Sequence, residues 1–308
     1  MLYKEWLDEW LEEYIKIAVK ERTYQKYRDI VKQRLIPTLG ECEISQITPL
    51  IIQRYIAELL KNGNMKTGKG LSANSVNLVI AVLKSSLETA RNSGLAGDTR
   101  LTQIKRPRIS EKQIGCFSLS EQRCIEHAIV LDKRPKMLGV MICLYTGIRI
   151  GELLALEWSD LDFEKKEIKI SKTCYESNGA RIVSTPKTVS SVRTIPLPEQ
   201  LIRLMQKRAT SDRQGFVISE NGKGVSVRSY QRSFELLLKK LEIPHRGFHA
   251  LRHTFATRAL EYGMDVKTLS EILGHKNPTV TLTRYAHSLE DHKRSMMNLL
   301  GSALNDAI

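Results

Sequence analysis

The chain has 308 residues, enough for two domains or one large one. Its hydrophobic fraction of 42% and charged fraction of 27% are ordinary for a globular protein, and no apolar run reaches the roughly 18 residues of a membrane-spanning helix. The charge is not ordinary: 48 Lys and Arg against 34 Asp and Glu leave +14, spread over the first third and the remainder alike, which points to a polyanionic partner rather than a membrane surface.

The first third reads as helices. Residues 2–20 form an amphipathic helix with Leu2, Trp6, Trp10, Tyr14, Ile17 and Ala18 on one side; its charged start, MLYKEWLDEWLEEY, is unlike a signal peptide. Thr23 is a cap for a second helix to about Leu35, ended by Pro37. Thr48 and Pro49 start a third, to about Lys61, and Ser72 or Asn74 a fourth, to about Asn92. Between them GNMKTGKG is a flexible basic loop with Lys66 and Lys69. Tyr24, Lys26, Tyr27 and Arg28 on the second helix, with Asn74, Asn77 and Lys84 on the fourth, are the residue types that phosphate and groove contacts need; a solvated helix surface has the same composition. A helical domain is expected over residues 1–105. The polar run 102–115 lacks helical periodicity, so a linker is expected at 106–115, and Lys105, Arg106 and Arg108 in KRPR could track a DNA backbone.

A second domain is expected from 116 to 290. Ser120 is a cap for EQRCIEHAI, and MLGVMICLY, apolar all round, is a buried helix broken by Thr146 and Gly147. The next helix, IRIGELLALEW, carries Arg149 in its first turn, where a guanidinium serves either an anion or a carboxylate such as Glu152. EIKISKT, ARIVSTPK and SVRTIPL predict a three-stranded antiparallel sheet with Lys187 in the turn before the third strand, as an edge charge or a phosphate contact. Helices follow at 198–208 and from Ser226 to Leu241. The fold class is mainly α with a small antiparallel sheet. The cysteines number five and are scattered, without CxxC spacing, as expected of reduced thiols in a cytoplasm.

The densest chemistry lies between His249 and Tyr285. Phe248 to Glu261 is a helix on which His249 and Arg252, three apart, share a face. Gly263 ends it, Asp265 caps a short helix to Leu273, and Gly274 leaves His275 on the following turn. A further helix, roughly Thr279 to His287, carries Tyr285. His249 and His253 have zinc-helix spacing, but no HExxH is present and no Cys lies near, so no metal is expected. His253 and His287 read as packing or supporting residues.

Arg149 in TGIRIGELLAL, Lys187 in TPKT, His249 and Arg252 in HALRH, His275 in LGHKN and Tyr285 in TRYAH together closely resemble the tyrosine recombinase (phage integrase) family, most of all integrases of phages and conjugative transposons of Gram-positive bacteria. The family's active-site set of Arg, Lys, His, Arg, His and Tyr maps onto them in order, and the match covers about residues 116–290. The helical first third resembles the family's core-binding domain by position and helix count. The resemblance implies a site-specific recombinase that cuts DNA through a 3′-phosphotyrosyl link to Tyr285. Arg149, Arg252 and His275 would bind the phosphate, His249 would take the phenol proton and Lys187 would protonate the departing 5′ oxygen. It also implies neither metal nor ATP, a double-stranded attachment site as partner, dimers on a site and tetramers in synapsis, an excisionase or DNA-bending accessory protein, and a cytoplasmic location without membrane contact. Many such integrases carry a preceding arm-binding domain; this chain begins at the core-binding helices, so a short or trimmed form is expected. Two other expectations stand beside integration: a Xer-like dimer resolvase, and a non-catalytic DNA-binding regulator, which would lack some of these positions. The apolar tail, 291–308, is expected to dock on a neighbouring protomer or on its own domain.

Overall fold

A computed structural model describes residues 1–65, 67–96, 101–109, 115–132, 134–177, 179–185, 192–209, 214–275, 277, 279, 297–302 and 304. Two units separate, Met1–Lys112 and Gln113–Ile308. The first is built of helices. Helix α1 comprises Tyr3–Glu9, a π-helical turn Trp10–Ile15, and Lys16–Ala18. The wide π turn breaks the expected α-helical phase after Trp10. Ile15 is buried in place of Tyr14, which is 41% exposed, and Ile17 is 84% exposed. The buried indoles are also hydrogen-bonded: Trp6 Nε1 donates to Ser86 O at 3.0 Å and Trp10 Nε1 to Thr89 Oγ1 at 3.2 Å.

Helix α2 begins at Glu21, ahead of the expected Thr23 cap, and runs through Glu21–Ile30, a second π turn Val31–Leu35, and Ile36–Leu39. Pro37 therefore lies inside the helix instead of ending it. The Ile36 N–H bonds back to Val31 O, and the wide turn opens the space that the proline ring needs in the turn before it. Helices α3, Pro49–Asn62, and α4, Ala73–Asn92, start as expected: Thr48 Oγ1 accepts from Ile51 N at 3.4 Å and Ser72 Oγ from Ser75 N at 3.2 Å. One apolar core joins all four helices and takes in Leu101 and Ile104. The chain just after it also stays on this unit. Lys105 N donates to Gln53 Oε1 at 3.1 Å, and Asn77 Nδ2 to Pro107 O at 3.1 Å.

The second unit opens with α5, Leu119–Leu131, capped by Ser118 rather than Ser120. Ser118 Oγ accepts from Glu121 N at 3.1 Å while Glu121 Oε2 accepts from Ser118 N at 2.8 Å, a reciprocal capping box. Helix α6, Leu138–Thr146, lies buried in the unit's core, as its all-round apolar sequence requires. Helix α7, Ile150–Leu154, is shorter than expected. The chain leaves it because Leu156 O accepts from Val217 N at 2.9 Å and Trp158 N donates to Gly215 O at 3.0 Å.

The strands correct the expected pairing. β1, Leu161–Asp162, and β2, Glu167–Ile170, join β5, Arg193–Pro196, in an antiparallel sheet of order β1-β2-β5, with Ile168 opposite Ile195. β3, Thr173–Ser177, and β4, Ala180–Ser184, form a separate hairpin. ARIV thus pairs with TCYES, not with EIKI. Between β2 and β3 Lys172 reaches Glu157 at 2.7 Å and Asp160 at 3.1 Å, anchoring the chain where it leaves the first sheet. Helix α8, Glu199–Arg208, a short hairpin of β6, Ser219–Glu220, with β7, Lys223–Gly224, and α9, Val227–Lys240, follow. Helix α10, His249–Glu261, packs along α6, and α11, Val266–Leu273, packs on α10 through Ala256, Leu260, Leu269 and Leu273. Among the described residues no helix is long and apolar enough to cross a membrane.

Candidate active site

Two glycines shape the site. Gly147 ends α6 in the left-handed region at φ 64°, and a Cβ there would come within 2.4 Å of Phe255. Gly274 ends α11 likewise at φ 65°, and delivers His275, whose N–H returns to Ser270 O at 3.0 Å.

Arg252 joins the two turns. It is 2% exposed on α10, and donates from Nη1 to Gly147 O at 2.8 Å and from Nη2 to Leu273 O at 2.8 Å. Nη2 also lies 2.9 Å from His275 Nε2. The planar fork of arginine suits this divided task, which a point-charged ammonium could not perform. Arg149 arrives from the other side as the N-cap of α7. Its N–H and Nη1 both bond Glu152, each at 2.9 Å, and Nη2 makes a long contact of 3.4 Å to Gly274 O. The carboxylate partner that the sequence admitted is thus present, yet the side chain keeps 41% of its surface exposed. Arg149, Arg252 and His275 are therefore brought together around Gly274.

Glu152 also holds an arginine that the sequence reading missed. Arg193, at the start of β5, sets Nη1 at 3.2 Å and Nη2 at 2.9 Å on the two Glu152 oxygens. The available signal was strand alternation, which puts Arg193 on the face of the buried Ile195. Burial pushes the Glu152 carboxyl up, but the Arg193 hydrogen bonds and the charges of Arg193 and Arg149 outweigh it and hold the group below its ordinary 4.5. A carboxyl more acidic in the folded than in the unfolded chain contributes its full stability above its unfolded pKa and loses it as pH falls through the folded one. Glu152→Gln should therefore flatten the decline of stability below 4.5, the ordinary glutamate value, in urea titrations across pH. Glu152→Ala, which strands buried Arg193, should cost about 3–5 kcal/mol at neutral pH.

His249 is exposed at the first turn of α10, on the helix that carries Arg252. The buried His253 supports it edge to face, with ring centroids 4.9 Å apart at 86°. Lys187, Tyr285 and His287 lie outside the described residues. So does most of the tail; Met297, Leu299, Leu300 and Leu304 are exposed.

The residues expected at a DNA surface divide. Lys26, Lys69, Asn74, Lys105, Arg106 and Arg108 are exposed, and Arg28 and Lys84 half-buried. Tyr27 is half-buried too, stacked on Trp10 with centroids 6.1 Å apart. Lys66 lies outside the described residues. Tyr24 differs from the expectation: only 7% exposed, it donates its hydroxyl to Glu12 Oε1 at 2.5 Å, and that bond first, then burial, raises the phenol above its ordinary pKa. The half-buried Asn77 holds Pro107.

Comparison with known proteins gives the family of the chain. Residues 121–292 match the model of the phage integrase family, and residues 2–60 that of the phage integrase N-terminal SAM-like domain. A tyrosine recombinase XerC-like protein of Caldanaerobacter subterraneus is 30% identical over 97% of this chain and 81% of its own length. The ICEBs1 integrase of Bacillus subtilis is 24% identical over 94% of this chain and 80% of its own. The Tn1549 transposon integrase, solved with a circular intermediate DNA, superposes with a TM-score of 0.79 at 26% identity, over 97% of this chain and 99% of that one. With its helical first unit and with the Arg149–Arg252–His275 cluster held between α7, α10 and α11, the chain belongs to the phage integrase family of tyrosine recombinases.

Proposed function

We propose that this recombinase integrates and excises a mobile element, cutting one strand at a time with Tyr285 as nucleophile. The phenolate oxygen attacks phosphorus, a P–O bond to tyrosine forms, and the bond to the 5′ oxygen breaks. His249 accepts the phenol proton and Lys187 supplies one to the departing oxygen, each step typically worth about 10²- to 10⁴-fold. Arg149 and Arg252 neutralise the extra negative charge of the transition state, and His275 adds a donor. The phosphotyrosyl bond keeps the energy of the phosphodiester, so rejoining needs only a 5′ hydroxyl from the partner strand.

The observation that carries this reading is the shared anchoring of Arg149, Arg252 and His275 around Gly274. Double-stranded attachment-site DNA is the substrate. Exposed Lys26, Lys69, Asn74, Lys105, Arg106 and Arg108, with Tyr27, Arg28, Lys84 and Lys66, would meet it, while Tyr24 and Asn77 stiffen the scaffold beneath. Two protomers act on each site and four in the synapse, one per strand cut, and an excisionase or DNA-bending protein sets direction. The XerC-like relative favours a second reading, the resolution of DNA dimers. Incubation with candidate attachment sites decides: SDS-resistant adducts and exchange between unlike ends of an element support integration, exchange only between identical sites supports resolution, and binding without adduct leaves a regulator. Binding should weaken steeply with salt, by about 0.9 log units per log unit of salt for each phosphate neutralised. A flat response in filter binding would contradict a backbone clamp.

A further inference from the structure

We infer that Arg193 is a positioning residue for cleavage, one that fixes Arg149 through Glu152 and fixes the His275 turn through Ile272; this rests on the phosphate-binding role proposed for those side chains. A carboxylate facing one arginine forms a closed pair and cancels its charge. Glu152, 6% exposed in its side chain, faces two, and Arg193, 7% exposed, takes the bidentate position. The three charges sum to +1, so Arg149 is held in place without being neutralised. On its other edge Arg193 donates from Nε to Ile272 O at 2.5 Å, next to Leu273, whose carbonyl binds Arg252. Its guanidinium also lies against Gly274, where a Cβ would stand 3.0 Å from Nη1. One buried side chain thus touches both supports of the phosphate site while lying behind it. Without Arg193, Glu152 turns its full charge on Arg149, and the end of α11 loses its tie to β5.

The test uses the full chain and a nicked duplex carrying the sequence that the protein selects from random DNA, with the scissile group as phosphate or as neutral methylphosphonate. Assays run below the melting midpoint of each variant. Arg193→Gln should bind this duplex as wild type does and cleave the phosphate about 10- to 100-fold more slowly, the usual scale for a group that orients a reacting one. The deficit should shrink on the methylphosphonate, where less charge needs stabilising. Glu152→Gln added to Arg193→Gln should restore part of the rate, since the unshared carboxylate is then gone. Equal deficits on the two substrates, or wild-type cleavage of the phosphate, would overturn the inference. If Arg193→Gln does not fold, Arg193→Lys takes its place with the same readout, because an ammonium cannot span both Glu152 oxygens and Ile272 O. Arg149→Ala serves as reference: wild-type cleavage by that variant would sink the proposed phosphate site itself, whereas severe loss there beside a fully active Arg193→Gln sinks only the role of Arg193.

Discussion

Replacing Tyr285 with phenylalanine is expected to abolish covalent protein–DNA adducts while leaving binding largely intact. The change removes a single oxygen and keeps the ring, so packing and charge are untouched. A phenol has a pKa of about 10 and is a weak nucleophile unless its proton is removed as it attacks. No other group in the proposed mechanism forms a bond to phosphorus, so the loss should be complete rather than graded. A nicked suicide substrate, whose cleaved fragment diffuses away, accumulates adduct and makes the comparison sensitive. Adduct formed by the variant at any rate near wild type would refute Tyr285 as nucleophile.

Arg252→Lys should show the second largest effect, and on two quantities at once. The ammonium keeps the charge but cannot reach Gly147 O and Leu273 O together, at 2.8 Å each from different η nitrogens. A buried carbonyl left unpaired costs about 1–3 kcal/mol, and unfolding in urea should register a loss of that size. Cleavage should fall further, by about 10²- to 10³-fold, the scale for removing a donor that meets developing negative charge. The rate must be measured where the variant is still folded. Cleavage near wild type in that folded state would leave Arg252 a purely structural residue.

Local signals made much of this chain legible. The caps Thr48, Ser72, Ser226 and Asp265 and the terminating Gly147 and Gly274 act within a few residues, so each helix end was visible where such a residue stood. The failures needed information from elsewhere in the fold. Trp6, Trp10 and Tyr14 are spaced for an α-helix, and nothing local announces the π turn that buries Ile15 instead. Pro37 reads as a stop unless a wide turn precedes it. The strand runs EIKI and ARIV each satisfied a pairing rule, but their partners were settled by β5 and TCYES. At the site, the helix position of Arg252 followed from periodicity, whereas Arg149, expected in the first turn of its helix, stands one place earlier as its extended N-cap. That Arg252 spends its fork on Gly147, 105 residues away, and on Leu273, 21 away, and that Glu152 holds Arg193 across 41 residues, are facts of packing between separate segments.

The most direct measurement is to trap the adduct on a nicked duplex of the selected site, digest it with protease and nuclease, and locate the modified residue by mass spectrometry. A nucleotide linked through its 3′ phosphate to Tyr285, in a peptide containing TRYAH, is the expected result. A phosphate on any other side chain, or strand exchange with no covalent intermediate, would contradict the mechanism.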